Sequence, residues 1–144
     1  MILLDTNVVS ALMKRIASPL LSGWLDRQLP ADLWTTSVTV FEIRFGLTVL
    51  PEGGRRRSLE AAFDAVLLED LARRVASLDR PAADAAARLG AKRRADGRPI
   101  ELRDTMIAGI ALARRAAIAT RNVRHFADLG VSVIDPWSAA STGR

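Results

Sequence analysis

Cysteine is absent from this sequence, and histidine occurs once, as His125. The lack of cysteine excludes a disulfide framework and a thiolate metal site, and a single histidine excludes any site built from two. No apolar run approaches the roughly 18 residues that a membrane-spanning helix needs. The first residues carry neither a basic leader nor a long apolar stretch, so we expect no signal peptide. The sequence therefore predicts a cytoplasmic protein without a membrane partner.

The composition is that of a globular protein with a basic charge balance. The chain has 144 residues, of which 49% are hydrophobic and 26% charged, and its formal net charge is +5. The apolar content excludes disorder, and the length fits one domain spanning residues 1–144. The basic balance favours an anionic partner, either a nucleic acid or an acidic protein. The arginine-rich runs at 55–57, 92–94 and 114–115 could equally be solvated helix ends.

Short apolar segments alternate with helical patterns along the chain. Because they are short and bounded by polar turns, the apolar segments predict strands at 2–4, 33–36, 75–77, 117–120 and 131–134. Helices are predicted at 38–50 with Ser37 as N-cap, at 55–68, from the cap Asp79 to about 95, and at 104–115. The alternation predicts an α/β fold whose parallel sheet is covered by helices on both faces. Ligands bind outside the carboxyl ends of the strands in such folds.

The helix predicted at 38–50 carries an apolar stripe. At about 100° per residue, Val38, Phe41, Phe45 and Val49 share one face, which we expect to be buried. Glu42 lies on the flank of this face. A carboxylate at the border of a buried face must find a partner or a cation, because burying it bare is costly.

Three carboxylates lie at or near the ends of predicted elements: Asp5, Glu42 and Asp104. Each has an ordinary explanation, since Asp5 could bond its own turn, Glu42 could pair with Arg44 or another arginine, and Asp104 could be an N-cap. The three could instead converge on one pocket, where they would repel one another unless a cation lies between them. With no cysteine and one histidine, such a site is all oxygen, which suits Mg²⁺ or Mn²⁺.

Several segments together carry a family resemblance: MILLDTN at 1–7, SVTVFEIRFG at 37–46, RDTMIA at 103–108, ATRNVRHF at 119–126 and DPW at 135–137. In this order and spacing they resemble the PIN-domain ribonucleases, and specifically the VapC-type toxins of type II toxin–antitoxin pairs. No single motif is specific, whereas the set is, and it covers essentially the whole chain. The resemblance implies a three-layer α/β/α sandwich with a central parallel sheet.

The resemblance also implies a set of site residues. Asp5, Glu42 and Asp104 match the family's acids, which bind Mg²⁺ or Mn²⁺. Thr6 matches a hydroxyl residue that supports the first acid, and Thr120 matches the hydroxyl residue before the last motif.

The chain departs from the family at Asn122 and His125, where some members have an acid. The Asn122 carbonyl could support the site by holding a water or a phosphate oxygen, but it adds no charge. A second metal ion is therefore less readily held by protein groups alone. For His125 we favour a structural or RNA-contacting role over acid–base catalysis, because it follows the last motif and geometry must precede pKa in such assignments.

The activity that the resemblance implies is a metal-dependent endoribonuclease, in which a metal-activated water hydrolyses RNA phosphodiester bonds. Because acids repel RNA, we expect Arg103, Arg121 and Arg124 to contact the RNA backbone. The implied partners are a second copy of the chain and a small antitoxin. The antitoxin's N-terminal part would bind operator DNA, and its tail would cover the groove near Glu42 and Phe63. Residues 55–68 could take part, and the RNA target stays open.

Other function classes fit the sequence less well. A phosphatase of the haloacid dehalogenase type requires a second aspartate two residues after the first, where the chain has Asn7. A phosphoacceptor receiver domain requires an early acidic pair and a late lysine, and neither stands at a suitable place. A degenerate PIN module that binds RNA or a protein without cleavage is the main alternative, because Asn122 replaces an acid.

Two further residue types indicate packing rather than chemistry. Gly109, inside an apolar helix, costs about 1 kcal/mol relative to alanine, so close backbone packing is expected there. The patterns around Trp24, Trp34 and Trp137 fit core or interface packing better than base stacking.

Overall fold

The computed structural model describes residues 1–15, 18–99 and 101–138. Five parallel strands in this part of the chain form one sheet: β1 (Ile2–Leu4), β2 (Leu33–Thr36), β3 (Val75–Ala76), β4 (Ala117–Ala119) and β5 (Val133–Ile134). Their order across the sheet is β3-β2-β1-β4-β5. The last three strands are one or two residues shorter than predicted. The predicted domain of residues 1–144 extends to residues 139–144, which lie outside the described residues.

The α-helices of the described residues are α1 (Thr6–Lys14), α2 (Pro19–Asp26), α3 (Ser37–Thr48), α4 (Gly54–Ala65), α5 (Arg80–Ala95) and α6 (Leu102–Arg114). Helix α4 continues into a π-helical turn, Val66–Asp70. Among these helices none has the length and apolar content to cross a membrane.

The helices cover both faces of the sheet because neighbouring strand residues point to opposite sides. Leu3 of β1 packs in a core with Ala82 of α5 and Ile107 of α6. Leu4, the next residue, packs in a second core with Val8 of α1 and Phe63 of α4. Both leucines are fully buried. The predicted three-layer architecture with a central parallel sheet is confirmed.

Helix α3 begins one residue earlier than predicted. Thr36, not Ser37, is its N-cap, since the Thr36 hydroxyl accepts the Thr39 N–H at 3.1 Å. Ser37 instead accepts the Leu78 N–H at 3.0 Å and so ties α3 to the chain after β3. The prediction was wrong because either hydroxyl residue can cap a helix, and only the extended backbone of Thr36 decides between them.

Asp104 is not the N-cap of α6, which was one of the explanations considered for it. Glu101 is the N-cap, accepting the Arg103 N–H at 3.1 Å, and Asp104 lies in the first turn. The carboxylate of Asp104 is therefore not used as a cap. At α5 the cap prediction is confirmed, because Asp79 accepts the Ala82 N–H at 3.1 Å.

The prediction that the apolar stripe of α3 is buried is confirmed for Val38 and was wrong for the other three residues. Phe41 and Phe45 are each 60% exposed and Val49 is 66% exposed. The buried side of α3 carries Val38, Thr39, Ile43 and Leu47 instead. Apolar residues lie on both sides of this helix, so periodicity alone could not identify the side that faces the sheet. Helix α3 therefore presents an uncovered apolar surface, Phe41, Phe45 and Val49, which we call the α3 outer face.

Gly109 confirms the prediction of close packing. A Cβ at this position in α6 would lie 2.5 Å from the Ala82 carbonyl oxygen and 2.7 Å from the Ala86 Cβ, both on α5. No side chain fits this gap without moving one helix. The predicted packing role of the tryptophans is also seen, since Trp24 is buried and Trp34 and Trp137 pack against the two cores.

Candidate active site

Asp5 follows β1 directly and is held on two sides. It is buried, and its Oδ1 accepts the Thr6 N–H at 2.8 Å while its Oδ2 accepts the Thr120 hydroxyl at 2.8 Å. Thr120 follows β4, the neighbour of β1, and is fully buried. The parallel sheet thus brings together two polar residues that lie 115 positions apart.

The Thr120 hydroxyl is also an acceptor, for the Asn7 side-chain amide at 3.2 Å and the Asn122 N–H at 3.0 Å. Asn7 additionally accepts the Arg121 N–H at 3.1 Å. The loop after β4 is therefore fixed to the first turn of α1. Sequence reasoning missed this role of Asn7, although its place beside Asp5 in the Asp-Thr-Asn segment was the available signal.

Glu42 reaches the same place from α3. Its Oε1 accepts the Thr6 hydroxyl at 3.2 Å, and its Oε2 lies 3.4 Å from Nη1 of Arg103 on α6. Arg44, considered as a partner of Glu42, instead forms an ion pair with Asp64 and lies over the Phe63 ring. The ion pair of Glu42 with Arg103 connects helices on opposite faces of the sheet.

Asp104 projects from the first turn of α6 towards the short helical turn Val123–His125. His125 Nδ1 lies 2.9 Å from Asp104 Oδ2. The carboxylate is mostly buried, whereas more than half of the histidine side chain is exposed. His125 is therefore part of the candidate site through Asp104.

The three acids singled out in the sequence share one open pocket of about 420 Å³. Thr6 and Asn122 also line it, and Thr120 lies beneath it as the partner of Asp5. The Thr6 hydroxyl, expected to support Asp5, donates to Glu42 instead, and only the Thr6 backbone N–H bonds Asp5. The complete lining is Asp5, Thr6, Asn7, Glu42, Glu101, Arg103, Asp104, Asn122 and His125.

The electrostatics of the pocket reflect this convergence. Burial raises the pKa of Glu42, and the charges of Asp5 and Asp104 raise it further, against the lowering effects of the Thr6 hydrogen bond and Arg103. Burial likewise raises the pKa of Asp104, with contributions from Asp5 and Glu101 that His125 opposes. Asp5 therefore destabilises the charged forms of both Glu42 and Asp104, and Asp104 destabilises that of Glu42, as expected where acids share a site without a cation between them.

The donor set fits a hard divalent cation, because it consists of carboxylate, hydroxyl and amide oxygens. As the side chains stand, no three or more His, Asp or Glu in the described residues are arranged to hold a metal ion. In this arrangement Glu42 is paired with Arg103 and Asp104 is bonded to His125. A metal ion would replace these cationic or hydrogen-bonding partners.

The arginines predicted to contact RNA lie in three different settings. Arg103 lines the pocket and is paired with Glu42. Arg121 lies with its guanidinium 3.9 Å from the centroid of the Trp137 ring. Arg124 is exposed and lines a second cleft beside the pocket.

Each predicted arginine run contains one residue that serves the fold, which sequence reasoning did not identify. Arg56 donates to the carbonyls of Thr48 and Leu50. Arg114 pairs with Asp79, the N-cap of α5, at 3.1 Å. Arg93 pairs with Asp128, 35 residues away. These runs are therefore neither wholly solvated nor wholly free to bind an anionic partner.

A family model and sequence relatives both match nearly the whole chain. The model of the PIN domain matches residues 2–131. The plasmid stability protein StbB of Pseudomonas syringae pv. tomato is 41% identical over 139 residues, which cover 96% of this chain and 100% of that protein. The VapC ribonuclease Y4jK of Sinorhizobium fredii is 36% identical over 140 residues, 97% of this chain and 100% of that protein.

Solved structures agree with these relatives. A chain in the crystal structure of FitAcB from Neisseria gonorrhoeae has a TM-score of 0.84 and 31% identity, with 95% of this chain and 99% of that chain covered. A chain of VapBC-5 from Mycobacterium tuberculosis, a member of the VapBC family of toxin–antitoxin systems, has a TM-score of 0.58 and 27% identity, with 71% and 79% covered. This chain thus belongs to the PIN domain family, in which its relatives include a VapC ribonuclease.

Proposed function

We propose that this protein is a Mg²⁺- or Mn²⁺-dependent endoribonuclease that acts as the toxin of a toxin–antitoxin pair. The observation that carries the proposal is the convergence of Asp5, Glu42 and Asp104 on one open pocket at the carboxyl end of a parallel sheet. The name of the Sinorhizobium relative, a VapC ribonuclease, supports the activity. The similarity to VapBC-5, a member of the VapBC family of toxin–antitoxin systems, supports the proposed role as a toxin.

In this proposal Asp5, Glu42 and Asp104 hold the metal ion. When bound, the ion would activate a water and neutralise charge that develops on the phosphate. The chain's own hydroxyls orient two of the acids: Thr120 donates to Asp5, and Thr6 donates to Glu42. Because Thr120 also accepts from two groups of the loops around it, the Asp5 carboxylate is fixed before any ligand arrives.

An antitoxin is the proposed protein partner, and the α3 outer face is its proposed contact. Phe41 and Phe45 are exposed and contact each other, with ring centroids 6.0 Å apart. Gly46 lies beside them, and a Cβ there would meet nothing within 4 Å. A helical glycine costs about 1 kcal/mol relative to alanine, and the residues that the structure describes supply no packing reason for Gly46. A partner backbone that approaches α3 closely would supply one.

The position of α3 connects this contact to the pocket. Glu42, next to Phe41, points into the pocket, so a partner bound on the α3 outer face lies beside the acids. An arginine from such a partner could pair with them. A second copy of this chain is the other occupant to be tested for this surface, and the size of the complex in solution distinguishes the two.

The test of the activity is Asp5→Asn. We expect cleavage of a labelled RNA with Mg²⁺ or Mn²⁺ to fall at least about 100-fold, because metal assistance is worth several kcal/mol. Asp84→Asn, an exposed aspartate of α5 outside the pocket, is the matched control and should cleave like the wild type. Thermal unfolding shows whether Asp5→Asn stays folded. Cleavage at the wild-type rate by a folded Asp5→Asn variant would contradict the proposal.

A non-catalytic RNA- or protein-binding module is the second candidate. The observation that favours it is that Glu42 and Asp104 are each engaged by a partner within the chain, Arg103 and His125. Asn122 in the pocket adds no further negative charge. This candidate predicts RNA binding without cleavage in either metal and no heat of Mn²⁺ binding by calorimetry. The nuclease predicts cleavage and a measurable heat of Mn²⁺ binding.

A further inference from the structure

A second cleft adjoins the acidic pocket on the side of α5 and α6. It measures about 550 Å³ and shares Glu101, Asp104 and His125 with the pocket. Unlike the pocket, it contains several arginines. We call it the arginine cleft, and its lining is Arg93, Arg98, Pro99, Glu101, Asp104, Arg124, His125 and Asp128.

Arg93 is the structural arginine of the cleft. Its side chain is only 11% exposed, and its Nη2 donates to Asp128 Oδ1 at 2.7 Å and to the His125 carbonyl at 2.9 Å. The pKa of Asp128 is lowered, first by the Arg93 hydrogen bond. Arg93 therefore already compensates the charge of Asp128 and holds the turn that carries His125.

Arg98 is a second cation on the same carboxylate. Helix α5 ends in a turn with Gly97 at φ +70°, where the Arg98 N–H bonds to the Arg93 carbonyl at 2.9 Å. This turn directs Arg98 to Asp128, with Nη1 3.0 Å from Oδ2. The Arg98 side chain is 58% exposed. Because ion pairs this exposed contribute little, Arg98 can turn to another anion at small cost.

Arg124 is the third arginine of the cleft. It lies exposed in the turn Val123–His125, and it forms no ion pair within the described part of the chain. Arg98 and Arg124 thus present two guanidinium groups that the fold does not require. They face a cleft that opens onto the acidic pocket through Asp104 and His125.

We propose that the arginine cleft binds the phosphodiester backbone of single-stranded RNA next to the bond to be cut, with Arg98 and Arg124 contacting phosphates. This inference rests on the proposed nuclease function. Phosphates recur at every nucleotide, so a strand with one phosphate in the acidic pocket carries its next phosphates into the neighbouring cleft. Guanidinium groups suit phosphate because they donate two parallel hydrogen bonds. Within the cleft, Arg98 and Arg124 counter the repulsion that Glu101 and Asp104 exert on a phosphate.

The test measures binding of a fluorescein-labelled, short single-stranded RNA by fluorescence anisotropy, in EDTA so that no cleavage occurs. The variant Arg98→Gln with Arg124→Gln should raise the dissociation constant about tenfold. It should also reduce the slope of log K against log salt by about 1.4, since each phosphate contact on a single strand contributes about 0.7. The variant Arg88→Gln with Arg94→Gln is the matched control, because both arginines are exposed on α5 outside the cleft.

The control variant removes the same net charge as the cleft variant. If the control binds RNA like the wild type, the loss of affinity in the cleft variant is due to the position of its arginines and not to net charge. The variant Arg98→Lys with Arg124→Lys should keep much of the wild-type affinity, since phosphate accepts a point charge. The inference is overturned if the cleft variant binds RNA as tightly as the control variant does, or if the wild type binds no RNA. It is also overturned if the cleft variant loses binding to a polyglutamate peptide but keeps binding to RNA. Cleavage with Mg²⁺ or Mn²⁺ is scored separately. Arginine-dependent binding without any cleavage would refute the proposed nuclease and keep the cleft.

Discussion

Two surfaces of this protein differ in what covers them. The contact between α5 and α6 is buried and closely packed, whereas the α3 outer face is exposed. Between α5 and α6, Gly109, Ala82 and Ala86 let two helix backbones approach closely, and all three are buried. On the α3 outer face, Phe41 and Phe45 are exposed. Folding of this chain buries the first surface and leaves the second exposed to solvent. Substitutions should therefore change stability at the first surface and association at the second.

A methyl group at Gly109 gives the largest expected loss of stability. Its Cβ would meet the Ala82 carbonyl oxygen at 2.5 Å, and backbone cannot turn aside as a flexible side chain can. We expect Gly109→Ala to lower the free energy of unfolding by about 1–3 kcal/mol, the usual cost of overpacking. Urea denaturation measures this change.

Gly90→Ala on α5 is the matched control for this substitution. Its Cβ would meet only Thr105 Cγ2, at an ordinary 3.7 Å. Helix propensity then predicts a gain of about 1 kcal/mol. Equal losses at both glycines would show that the α5–α6 contact is no tighter than its surroundings.

Removing the aromatic rings of the α3 outer face should separate association from stability. We expect Phe41→Ser with Phe45→Ser to change the free energy of unfolding by no more than about 0.5 kcal/mol, as for other surface positions. Binding of the antitoxin should weaken about 30-fold, equivalent to about 2 kcal/mol for buried interface anchors. Calorimetry with the proposed antitoxin partner measures the binding.

Leu102→Ser is the control for the outer face, because Leu102 is at least as exposed as the two phenylalanines, 66% against 60%, but lies on α6. It should affect neither stability nor antitoxin binding. If the phenylalanine variant loses self-association and keeps antitoxin binding, the α3 outer face contacts a second copy of the chain. If it loses stability instead, the two surfaces do not differ as described.

The acids of the site could be predicted because local signals mark them. Asp5 directly follows a short apolar strand, Asp104 opens an apolar helix, and the family resemblance joins them to Glu42. The buried side of α3 could not be predicted, because its apolar residues occupy both sides and the sheet decides between them. The sheet order itself depends on pairings such as Leu3 with Ile118, far apart in the sequence.

The same limit applies to charged partners. The run at 92–94 does not reveal which arginine meets Asp128, because the two partners lie 35 positions apart and only the packing of α5 decides which arginine faces the acid. Likewise Arg103 and His125 were known only as neighbours of motifs. That they engage Glu42 and Asp104 is a property of the folded pocket.

The ion pair between Arg103 and Glu42 links α6 to α3, and its removal should affect metal binding. Without the guanidinium, Glu42 loses a competing cation, so we expect Arg103→Gln to tighten Mn²⁺ binding by up to about fivefold, the range of a partly exposed ion pair. Titration calorimetry measures the affinity, with Arg88→Gln as the control for net charge. Weaker Mn²⁺ binding in Arg103→Gln would mean that Arg103 orders the acid rather than competes with the metal.

The smallest expected effect concerns the charge of Glu42, which lies between the buried side and the outer face of α3. Its pKa is raised in the fold, so its contribution to stability is present at pH values below its ordinary pKa and is lost as the pH rises through the folded pKa. Metal-free Glu42→Gln should therefore melt like the wild type at pH 4 and higher at pH 7, by about 3 °C for each kcal/mol. Glu60→Gln, on α4 outside the pocket, is the control for the loss of one carboxylate. A metal-free Glu42→Gln variant that melts lower than the wild type at pH 7 would show that the Arg103 pair outweighs the cost of burial. With saturating Mn²⁺ at pH 7, the wild type should instead melt higher than Glu42→Gln.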